Sequence, residues 1–257
     1  MFKNMSKNRS KADIKNNISE AVDRLNKLLV AYADSTNGSY NKKADLVSYW
    51  IKSFTDYIEK EDDFNPSRLI RYSRGDVIRV NFGFRIGKEL GGLHYAVVID
   101  NNNSRAADVI TAIPLSSTNG KTIHKSNLDL GQELYNKAIT QYNKLNDFST
   151  SQIDEFKAIL KLIPHDSDMD ERKSAIIAEL EAKLDAAEAT MDLLKVYKKE
   201  INKLKTGTMA IMNQVTTVSK QRIYVPKKST DYLYGIKLSD STMDKLTEKL
   251  SKQIIRK

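Results

Sequence analysis

The sequence predicts an α+β protein in which a small, strongly curved antiparallel sheet or barrel follows a helical hairpin and is interrupted by a long pair of helices. Three observations carry this expectation. Apolar residues recur at helical spacing to about residue 60 and then alternate as in strands; helical spacing returns over 131–206; strand-like sequence resumes at 208. The strand-like runs are short and leave little room for crossover helices, which points to antiparallel pairing. The expected units are a hairpin over 1–62, the first part of the sheet over 72–130, an insertion over 131–206, and the rest of the sheet with a closing helix over 207–257.

Each element has its own signature. From Lys11 onward, Ile14, Ile18, Val22, Leu25 and Leu29 share one helical face. Small and turn-forming residues over 33–41 break the run, and a second helix over about 43–59 is expected to bury Val47, Trp50, Ile51, Phe54 and Ile58 against the first. Strands follow around Val77, Ile78, Val80 and Phe82, then over 95–99 and 109–115. The insertion reads as helix over 132–164 and 171–205, with a break at Pro164, His165 and Asp166. Its second half sets Ile177, Leu180, Leu184, Ala187, Met191, Leu194 and Ile201 at alternating steps of three and four, a coiled-coil-like seam. Strands return within 208–226. A final helix, capped by Ser239 or Asp240, presents Met243, Leu246, Leu250 and Ile254.

Composition narrows the function. The 257 residues carry 42 Lys and Arg against 33 Asp and Glu, a formal charge of +9 that favours an anionic partner. There is no cysteine, which removes disulfides, thiolate nucleophiles and cysteine metal sites and suits a reducing cytoplasm. His94, His124 and His165 fit no zinc spacing, and no acidic pair marks a two-metal nuclease, so neither metal nor other cofactor is expected. The basic start of the chain leads into no apolar run, so neither a secretory signal nor a membrane span is expected.

Three stretches hold candidate chemistry. The loop between the first two strands carries Arg85, Lys88 and the Gly91-Gly92 pair and leads into His94. It is either a solvated basic hairpin or one wall of an anion site, since glycine lets main chain approach a ligand closely. Ser116 and Ser117 end the third strand without the base or elbow that a nucleophilic serine needs, which suits hydrogen-bond donation to a phosphoryl oxygen. Asn213, Gln214, Thr216 and Thr217 can present polar edges to a base or phosphate. Lys220 and Arg222 would extend a backbone-binding surface, joined from the first strand by Arg79. No helix-turn-helix with a basic recognition helix is apparent.

The order of these stretches resembles the MazF/PemK/Kid family of toxin endoribonucleases from bacterial toxin-antitoxin systems. The resemblance rests on Arg74-Gly75-Asp76 before a strand, on the loop from Gly87 to Gly92, on the strand ending near Asn101, and on Pro114-Leu115-Ser116-Ser117. It resumes in the run from Gln214 to Arg222 and the closing helix. It covers about 70–125 and 207–255. It implies an SH3-like barrel of the MazF/PemK type, single-stranded RNA as substrate, a cognate antitoxin, a homodimer, and metal-independent cleavage to a 2′,3′-cyclic phosphate and a 5′-hydroxyl. His94 stands where the family has its catalytic arginine, Ser116 where it has threonine, and Thr216 where an arginine is expected. These departures leave a second implication, a catalytically weak or inactive relative that binds RNA, an antitoxin or a host protein.

Overall fold

A computed structural model describes residues 9–120, 122–163 and 171–254, and the chain divides after Phe64 into two compact units. The expected break at Pro164, His165 and Asp166 lies outside the described residues.

The first unit holds helices α1 (Lys11–Ala33) and α2 (Gly38–Glu59). Ser10 opens α1 with a reciprocal cap, its hydroxyl accepting from the Asp13 amide at 3.1 Å while the Asp13 carboxylate accepts from the Ser10 amide. Asn37 caps α2 by accepting from the Ser39 amide at 2.9 Å, so α2 begins at residue 38, ahead of the expected start near 43. Asn41 ties the turn by donating to the carbonyls of Tyr32, Ala33 and Ser35. Burial departs from the sequence expectation. No residue of α1 is buried and only Ala44 of α2 is, because two helices alone cover only part of each apolar stripe.

The second unit is built on strands β1 (Val77–Asn81), β2 (Leu93–Val98), β3 (Val109–Ser117), β4 (Leu128–Asp129), β5 (Thr208–Ala210), β6 (Thr216–Ser219) and β7 (Ile223–Val225). All pairings are antiparallel, in the order β4-β5-β3-β2-β1-β7, with β6 also on β3. β6 lies on the β3 edge and β7 on the β1 edge, yet only the 3-10 turn Lys220–Arg222 separates them. The sheet therefore has to curl around the face it shares with them. That face buries Ile78, Val80, Phe82, Ala96, Val98, Ile110, Ala112, Val218 and Ile223.

Helices α3 (Glu133–Leu162), α4 (Glu171–Asn202) and α5 (Asp240–Ile254) complete this unit. On the other sheet face, Val77, Tyr95, Val97, Ile113 and Leu115 form a core with Leu134 and Ala138 of α3, Leu194 and Ile201 of α4, and Met243 and Leu246 of α5. α3 and α4 run antiparallel, as Lys157 pairing with Glu188 and Tyr142 meeting Lys198 require. Along α4 the positions Ile177, Leu180, Leu184, Ala187, Met191, Leu194 and Ile201 are buried or half-buried, while most residues between them are exposed. The Arg74-Gly75-Asp76 corner is a structural joint. Arg74 donates to the Ile99 and Met243 carbonyls at 3.3 and 3.1 Å, tying α5 to the sheet, and Asp76 accepts from the Ser73 amide at 2.7 Å.

Candidate functional site

Strand alternation decides which candidates meet. Val80 of β1 stands opposite His94, and Ala96 of β2 opposite Pro114. His94 and Ser116 each lie two residues beyond that Ala96–Pro114 pair, so the period of two puts both on the curled face with Val80 and Phe82. Thr216 pairs with Ala112 and joins the same face. Thr217 pairs with Thr111 and faces the other way, its hydroxyl 3.3 Å from that of Thr111. Thr217, expected to line the groove, therefore lies on the face opposite Thr216, which lines the pocket described next, one residue having reversed the face.

A pocket of about 190 Å³ opens beside this face at Phe82, Pro114 and Thr216, and neither His94 nor Ser116 lines it. Phe82, Pro114 and Val215 give it an apolar floor, and Arg85, Asn213 and Thr216 bring a guanidinium, an amide and a hydroxyl to it. Arg85 donates through Nε to the Phe82 carbonyl at 3.0 Å, and Glu89 sits 3.8 Å from its Nη1, so part of its charge is answered locally. Lys88 lies exposed in the same loop.

The loop is held by its own backbone and by Gln214. Gly92 donates to the Gly83 carbonyl at 2.7 Å, and a Cβ on Gly91 would lie 2.6 Å from that same oxygen, so only glycine fits there. The Gln214 side chain accepts from the Leu90 amide and donates to the Lys88 carbonyl at 3.2 Å. Gln214, expected to meet substrate, lines the pocket while both ends of its amide are engaged with the loop. The imidazole of His94 follows this loop directly. Burial pushes it below its ordinary value of 6.5, a hydrogen bond with the Gly91 backbone opposes that, and the Arg79 charge adds to the lowering. A neutral imidazole at neutral pH is a proton acceptor.

Other candidates lie elsewhere. Arg79 is on the helix-covered face, paired with Glu200 of α4 at 3.0 Å and set over the rings of Tyr95 and Tyr224. Ser117 also faces away from the pocket, donating to the Lys203 carbonyl at 2.9 Å beyond the end of α4. Arg222 donates to the Asn81 carbonyl at 2.8 Å. Lys220 departs furthest from expectation, being fully buried with its ammonium donating to the carbonyls of Ser104 and Arg105 at 2.8 and 3.4 Å. A buried ammonium held by main-chain carbonyls cannot extend a surface for phosphates. Sequence reading missed the ring cluster around Arg79, in which Tyr197 stacks on Tyr232 at 3.8 Å and the hydroxyls of Tyr232 and Tyr95 lie 3.3 Å apart. Its members come from three distant segments, so no local spacing announced it. Among the described residues no group of three or more His, Asp or Glu is arranged to hold a metal ion, and no helix is long and apolar enough to cross a membrane.

Curled antiparallel sheet, backing helices and a polar-edged pocket define this unit as an α+β domain. Residues 73–161 match the family model described as PemK-like, MazF-like toxin of type II toxin-antitoxin system, which supports a toxin of that general type. The matched stretch runs from β1 through nearly all of α3, which the residue motifs alone leave outside the resemblance, and it ends before β5. No curated protein matches the chain.

Proposed function

We propose that the protein is a metal-independent endoribonuclease toxin acting on single-stranded RNA, with the curled sheet as an SH3-like barrel of the MazF/PemK type and α3 and α4 as a coiled-coil-like addition. In this reading the protein is cytoplasmic, works as a homodimer and answers to a cognate antitoxin. The observation that carries the reading is the shared face of His94, Ser116 and Thr216 beside a pocket with an apolar floor, a guanidinium and an amide. An unstacked base suits the floor and the amide edge, while the phosphate suits Arg85 and the hydroxyls.

The neutral His94 imidazole takes the proton of the 2′-hydroxyl, whose oxygen attacks the adjacent phosphorus. The 5′-oxygen leaves and takes a proton from water, while the His94 imidazolium returns its proton to solvent, giving a 2′,3′-cyclic phosphate and a 5′-hydroxyl. Ser116 donates to a non-bridging oxygen as charge accumulates there. The pairing of Arg85 with Glu89 and of Arg79 with Glu200 favours the second reading, a protein that binds RNA or another protein with little turnover.

An RNA oligonucleotide and its fully 2′-O-methylated counterpart separate the two. The nuclease reading expects cleavage of the first alone, lowered about 10²- to 10⁴-fold in H94A and about 10²-fold or more in S116A. Binding of both oligonucleotides without cleavage of either establishes the second reading instead.

A further inference from the structure

The helical hairpin of the first unit is an amphipathic structure left half open. Ile14, Ile18, Val22 and Leu25 of α1 and Phe54 and Ile58 of α2 are each 36 to 58 % exposed, and they belong to the apolar stripes of the two helices. Isolated apolar side chains at a surface are ordinary, whereas two stripes open along neighbouring helices mark an unfinished core. Helices of this length draw most of their stability from packing an apolar face, and Ala44 alone is buried here. The surface therefore needs an occupant that is present whenever the chain folds.

We propose that the occupant is the same hairpin of a second copy, the two forming a four-helix bundle about a two-fold axis. A two-fold contact asks one face to be complementary to itself, and an apolar face meets that demand without pairing charges. Charge points the same way. Residues 1–64 hold 11 Lys and Arg against 10 Asp and Glu, whereas residues 65–257 hold 31 against 23. The nearly neutral unit is the part of the chain that can meet its own copy without repulsion, and an acidic partner would be drawn to the basic remainder instead. Six half-exposed large side chains per copy offer on the order of 500 Å² of apolar surface, and the flanking stems bring the contact near the roughly 800 Å² per partner of a standard interface. This assignment is independent of any nuclease activity.

Sedimentation of the full chain over a range of concentrations tests it. The wild type associates, and I18E/F54E, which sets carboxylates into the bundle core, weakens that association about a hundredfold or more and halves the native mass. An unchanged mass in the variant, or a monomeric wild type at every concentration, overturns the proposal. Because the chain has no cysteine, a single I18C also reports the contact without disturbing the fold. It gives a disulfide-linked dimer on mild oxidation, whereas K27C, half a turn around the helix, does not. Equal cross-linking of the two, or none in either, overturns the proposal as well.

Discussion

Gln214→Ala separates a residue that shapes the loop from one that reads RNA. In the structure its amide accepts from the Leu90 amide and donates to the Lys88 carbonyl at 3.2 Å, joining the β1–β2 loop to the 3-10 turn before β6. A neutral hydrogen bond contributes about 0.5 to 1.5 kcal/mol net, and the low end applies because the loop is partly exposed and water can replace the lost partner. The pair then amounts to about 1 kcal/mol of local stability, equivalent to roughly a fivefold faster opening-limited exchange of the Leu90 amide. Hydrogen exchange read at Leu90 is the assay, with the amides of β2 as internal reference. Because opening of this loop displaces Gly91 and the imidazole bonded to it, kcat falls while KM changes little. Unchanged exchange at Leu90 together with a raised KM would refute the clip and return Gln214 to the substrate.

Further outcomes follow from half-buried His94 and buried Lys220. The His94 pKa is lowered in the folded chain, so between that lowered value and 6.5 the unfolded chain binds more protons. Its contribution to stability is complete above pH 6.5 and is lost as pH falls through the folded value, and H94Q flattens this slope in denaturation measured from pH 5 to 7. The acidic limb of the cleavage profile lies below 6.5 for the same reason. K220M leaves the carbonyls of Ser104 and Arg105 without their donor and costs about 1 to 3 kcal/mol in urea denaturation, with KM for RNA unchanged. A raised KM with normal stability would show that this lysine reaches substrate.

Periodicity was legible where burial repeats along one element. The α4 positions spaced three and four apart, from Ile177 to Ile201, are those turned inward, and Met243 and Leu246 of α5 are buried as their spacing requires. The hairpin stripes were legible as stripes, but their burial was not, since spacing marks a face without supplying what covers it. Site residues were less legible because their roles depend on partners distant in sequence. Lys220 reads as a surface cation until Ser104 and Arg105 are brought to it, and Gln214 reads as a base-reading amide until the loop at Lys88 and Leu90 folds over it. Thr216 and Thr217 were separated only by the register of β6 on β3, which local sequence does not specify.

The most direct test of the central claim is the mass of the 3′ ends left when purified protein meets a long unstructured RNA in excess chelator. The account predicts fragments ending in 2′,3′-cyclic phosphate with 5′-hydroxyl partners, at a rate the chelator does not change and H94A lowers about 10²- to 10⁴-fold. Linear 3′-hydroxyl ends, or cleavage by H94A at the wild-type rate, would contradict it.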